Sequence, residues 1–116
     1  MASPLIDPAF IAEIRAVERS SGQSNVVSGL VSKLEAQLAE FQGGFDAHLA
    51  RGDATAALRA AHTMKGSCHQ LGAAALGDLF AAIESSVKAG DYADARRRIN
   101  DGSGLIARSI EALKRA

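Results

Sequence analysis

Between Val27 and Leu49 the apolar residues Val27, Leu30, Val31, Leu34, Leu38, Phe41, Phe45 and Leu49 recur at intervals of three and four. That period lines one side of an α-helix and no other regular element, so the stretch from Ser24 to about Ala50 predicts a long amphipathic helix. A single apolar stripe of this length has to be covered by other helices. Gly43-Gly44 weakens the helix locally, but Phe41 and Phe45 keep the register across it.

The rest of the chain supplies the partners. Asp7 followed by Pro8 reads as a carboxylate N-cap with proline at the first helical position. Phe10, Ile11, Ile14 and Val17 then form the stripe of a short helix that ends at Ser20-Ser21-Gly22. After the break at Arg51-Gly52-Asp53, a third helix carries Leu58, Ala61, Met64, Cys68 and Leu71 inward and stops at Leu71-Gly72. A fourth turns Leu76, Leu79, Phe80, Ile83 and Val87 to the core before Ala89-Gly90. Asp91 caps a fifth with Tyr92, Ala95, Ile99, Ile106, Ile110 and Leu113 inward. Because that register survives Gly102-Ser103-Gly104, the expectation is one long helix with a soft spot. Both prolines precede residue 9, tryptophan is absent, and helix-favouring residues dominate. The fold expected is all-α: an up-and-down four-helix bundle with a short additional N-terminal helix, one domain over residues 1–116.

Charge and cysteine usage narrow the function. Thirteen basic and thirteen acidic side chains cancel, so no global field draws the chain to nucleic acid or to an anionic membrane. No apolar run approaches the roughly 20 residues that span a bilayer, and the first residues lack the pattern of a signal peptide. Cys68 is the one cysteine, which rules out an internal disulfide and fits a reducing compartment. The expectation is a cytoplasmic monomer. No phosphate-cradling glycine loop and no kinase-like set of lysine, aspartate and asparagine motifs is found, so any phosphate has to come from a partner.

The third helix carries the chemistry. His62, Lys65, Gly66 and His69 cluster on its flank beside the apolar stripe, and Arg59 lies one turn before His62. An interior glycine costs about 1 kcal/mol relative to alanine, and no turn excuses Gly66. His62 stands eleven residues before Ala73 and Glu84 eleven after it, so a hairpin pivoting there brings the two to the same height. Glu84 borders the fourth helix's stripe and can accept a hydrogen bond from one nitrogen of a half-packed His62, leaving the other nitrogen free. This is an oriented nucleophile with a cation beside it and room for a group larger than a proton. The anion that suits it is a phosphoryl group. His62 and His69 are spaced wrongly for a helical metal pair, and no carboxylate completes a set, so no metal is expected. His48 reads as exposed near a helix end, and Cys68 as a small core residue.

The run Ala61-His62-Thr63-Met64-Lys65-Gly66-Ser67, then Leu71-Gly72-Ala73 and Ile83-Glu84, resembles the histidine-containing phosphotransfer (HPt) domain family. The resemblance implies a four-helix bundle whose exposed histidine accepts a phosphoryl group from a receiver-domain phospho-aspartate and passes it to another response regulator. It makes His62 the phosphorylation site, flanked by Lys65 and Gly66; Arg59 and His69 are candidate phosphate neighbours by their helical position alone. Lys65 would stabilise the phosphohistidine as a point charge. The implied partners are response-regulator receiver domains and a hybrid sensor histidine kinase. The chain has no cofactor of its own in this reading, and Mg²⁺ sits on the receiver's carboxylates. Glu84 stands where some members have a glutamine that hydrogen-bonds the histidine. Cys68 and His69 stand where small residues are common, and His69 is open to three roles: crowding the site, supporting the phosphate, or neither. Two other readings fit the same face: a non-catalytic adaptor that binds receiver domains, and the phospho-accepting domain of a larger hybrid kinase. Each describes a phosphotransfer or docking protein and not an independent kinase.

Overall fold

The computed structural model describes residues 4–115. Within them the chain forms α1 (Pro8–Ser21), α2 (Val26–Ala50), α3 (Ala54–Gln70), α4 (Ala74–Lys88), α5 (Tyr92–Asp101) and α6 (Ser103–Arg115), with no strand among the described residues. Successive long helices pack side by side, α2 on α3, α3 on α4 and α4 on α5, and α6 closes the bundle against α2 and α4. The architecture is the expected four-helix bundle with α1 added at its start. Phe80, Leu34, Leu76, Ile83 and Leu113 are sealed in the core. Phe41 stacks on Phe45 at 4.6 Å between ring centres and meets Phe80 edge-on at 5.0 Å, arrangements in which the positive ring edge or an offset face meets π density.

Helix starts follow the aspartates. Asp7, Asp53 and Asp91 accept from the backbone N–H groups of Ala9, Ala56 and Asp94 at 3.0, 3.1 and 3.0 Å. Two of the helices without such a residue, α2 and α4, take their caps from elsewhere in the chain. Asn25 makes no side-chain cap for α2. Instead Glu18, buried on α1 and paired with Arg15 at 2.9 Å, accepts on Oε2 from Val26 N at 2.9 Å and Val27 N at 3.2 Å. Ala73 has no side chain to cap α4, and Pro4 O accepts from Ala75 N at 3.0 Å. Asp7 N donates to Gly72 O at 2.6 Å. Residues 4–7 therefore strap the α3–α4 turn, and Gly72, at φ +73°, lies so close to Phe10 that a β-carbon would come within 3.1 Å of it. Leu5 of the strap and Arg115 of the last helix line one shallow surface groove.

Three expectations are corrected. Val17 does not belong to the buried stripe of α1 and is 57 % exposed. The inward line runs from Ile11 to Glu18, because the carboxylate is drawn under the helix to reach the start of α2. Leu30 is likewise 37 % exposed, at the edge of its stripe, beside Phe10 and Ile14. The last helix divides at Gly102 into α5 and α6. Leu79 packs into the space where a side chain would be, 2.6 Å from an added β-carbon, and the backbone flattens to ψ −2°. Hydrogen bonds still cross the break, from Gly102 N to Arg98 O and from Ile106 N to Gly102 O, each 2.9 Å.

Candidate functional site

α3 and α4 form the antiparallel hairpin that assembles the site, turning at Leu71–Ala73. Equal counting from that pivot puts His62 opposite Glu84, and the structure joins them: Nδ1 of His62 lies 2.9 Å from Oε2 of Glu84. A carboxylate can only accept, so Nδ1 carries the proton and donates. Nε2 is then the nitrogen with a free lone pair. The His62 side chain is 69 % exposed, more open than the half-packed ring expected, whereas Glu84 is 10 % exposed. The exposed ring is thus held by a buried carboxylate.

Lys65 Nζ donates to the other oxygen of Glu84 at 2.9 Å. Helical side chains lean toward the N-terminus, so a lysine one turn after His62 reaches back to its level. The same lean carries Arg59, one turn before, away from it. Arg59 is exposed at the rim of a groove of about 430 Å³ between α2 and α3, lined by Phe41, Phe45 and Met64, and forms no hydrogen bond or ion pair among the described residues. The hydrogen bond from Lys65 is the main influence holding the Glu84 carboxyl below the usual range. Burial opposes it, while His62 and the charges of Lys65 and Lys88 reinforce it.

Gly66 has nothing within 4 Å of where a β-carbon would lie. The bundle does not require a glycine there. His69 is turned to the opposite helix: its ring lies over Gly77, where an added β-carbon would be 2.2 Å from Cδ2, and Nε2 faces Asp78 Oδ1 at 3.8 Å. Two helical turns separate it from His62, about 10 Å along the axis. His48 is half-buried with Nδ1 2.8 Å from Arg51 Nη2. Cys68 is fully buried, and burial pushes its thiol up to about 12. No group of three metal-ligating side chains occurs among the described residues. Sequence reasoning missed the Lys65–Glu84 pair, although the lean of helical side chains was a signal that could have found it.

No curated protein and no solved structure matches the chain. A family model does, that of the Hpt domain, over residues 29–116, which takes in most of α2 and all of α3 to α6. An all-helical bundle that exposes a histidine on the flank of its third helix agrees with that match, and the chain belongs to the Hpt domain family, whose members transfer phosphoryl groups in histidine-to-aspartate relays.

Proposed function

We propose that this protein is a phosphorelay intermediate: His62 accepts a phosphoryl group from the phospho-aspartate of one receiver domain and hands it to another. The observation that carries the reading is the pinned ring, an exposed imidazole whose Nδ1–H is held by a buried carboxylate so that Nε2 points its lone pair outward. Nε2 attacks phosphorus, the P–O bond to the partner's aspartate breaks, and the electron pair leaves with that carboxylate. The open space over Gly66 admits the incoming group. Any Mg²⁺ the exchange uses belongs with the receiver's carboxylates. A hybrid sensor kinase is the upstream source, the site of action is the cytoplasm, in keeping with a lone reduced cysteine, and the protein works as a monomer.

Incubation with a phosphorylated receiver domain tests this. Acid-labile, base-stable phosphate is expected on the wild type and not on His62→Gln. Equal labelling of the two proteins overturns the assignment. Binding of the receiver without labelling of either would make the protein an adaptor.

A further inference from the structure

The ring nitrogen that faces the bundle is not held by a lone carboxylate. Glu84 accepts from His62 on Oε2 and from Lys65 on Oε1, both at 2.9 Å. Lys65, expected beside the phosphoryl group, is paired with the second oxygen of that carboxylate. We infer that Glu84 keeps Nδ1 of His62 protonated after phosphorylation, and thereby keeps the phosphoryl group transferable, while Lys65 on its second oxygen eases the approach of the phosphoryl group. This rests on the reading of His62 as the phosphoryl carrier, and it makes Glu84 and Lys65 positioning residues.

The chemistry decides between two products. When Nε2 bonds to phosphorus, the ring has brought its own Nδ1 proton and becomes a phosphoimidazolium cation. Should that proton pass to water, the ring is neutral, and onward transfer must expel an imidazolate, a poor leaving group. When the proton stays, cleavage of the P–N bond returns its electron pair to Nε2 and releases a neutral imidazole, with the proton count unchanged. An anionic oxygen 2.9 Å from Nδ1 favours the second course, because a charge-assisted hydrogen bond stabilises the cation.

An uncompensated carboxylate would also repel the oxygens of the incoming phosphoryl group. The ammonium of Lys65 on the second oxygen offsets that repulsion, while Oε2 still accepts directly from Nδ1. Glu84, held below the usual carboxylate range chiefly by Lys65, is ionised at neutral pH and so remains able to retain the ring proton. A glutamine at this position would still accept from Nδ1–H and orient the ring, but would bring no charge to keep the proton there. The glutamate therefore supplies something beyond orientation.

The test loads wild type, Glu84→Gln and Lys65→Gln with phosphoramidate and follows the ¹⁵N signals of His62 at mildly alkaline pH. The wild type is expected to show a protonated Nδ1 in the phosphorylated ring. Glu84→Gln is expected to lose that proton and to return its phosphoryl group to a receiver domain about tenfold more slowly. Lys65→Gln is expected to keep the proton and to load more slowly. A Glu84→Gln protein with the same Nδ1 signal and the same rate of return overturns the inference alone, as does a Lys65→Gln protein that loads at the wild-type rate. Should Glu84→Gln fail to fold, the Lys65→Gln arm decides. A wild type that takes no phosphoryl group from phosphoramidate or from a receiver overturns the relay function itself, and this inference with it.

Discussion

Gly66 shows how a single residue separates folding from function. The space beside it is open, so alanine fits, and Gly66→Ala is expected to raise stability by about 1 kcal/mol in chemical denaturation. Under the proposed function, transfer to His62 slows when a larger side chain still is placed there; an unchanged transfer rate would show that the room over Gly66 is not used. Ser109 gives the converse case. Its hydroxyl is wholly buried without a hydrogen-bond partner, so Ser109→Ala is expected to stabilise by about 1 kcal/mol. Cys68 should resist thiol reagents until the protein unfolds, which a thiol-labelling time course with and without denaturant measures. The His62–Glu84 contact was legible in the sequence because it needs only a helical rise and a pivot. The place of His69 was not: it depends on Gly77 lacking a side chain on the opposite helix, a fact of packing that spacing does not encode.

At the scale of elements, borrowed caps matter most. α1 is held to α2 through Glu18, whose carboxyl lies below the usual range, first because Val27 N–H donates to it and then because Arg15 pairs with it against the pull of burial. Glu84 and Asp94 are lowered too, Asp94 chiefly by the Ser86 hydroxyl, which donates at 2.6 Å. A lowered folded-state value means that the stabilisation is complete above the ordinary carboxylate range and is lost as pH falls through the lowered values. Thermal melts are therefore expected to drop as acid is added below the ordinary range, and Glu18→Gln should flatten part of that dependence while lowering Tm by several degrees at neutral pH. The sequence showed where α1 and α2 begin and end to within two residues. It did not show that a residue inside one caps the other, because a glutamate next to an apolar stripe reads as a stripe's edge, and Val17 was mistaken for its continuation. Gly102 was visible as a weak point, but the insertion of Leu79 that makes it a break comes from a different helix.

The whole molecule is a rod of 48 × 28 × 19 Å with its reactive ring on a flank and its core sealed by aromatic and aliphatic side chains. The bundle and its order were readable because each helix carries one stripe and short turns leave neighbours no choice but to be antiparallel. Phe80 touches the second helix as well as its own surroundings, so Phe80→Ala is expected to cost about 3–5 kcal/mol in denaturant titration. No helix among the described residues is long and apolar enough to cross a membrane. The groove shared by Leu5 and Arg115 brings the two ends of the described chain to one region of the surface. Neighbouring ends make a domain that a host protein can carry as a pendant inside a loop. Grafted in that way, it would hang by both strands from one place.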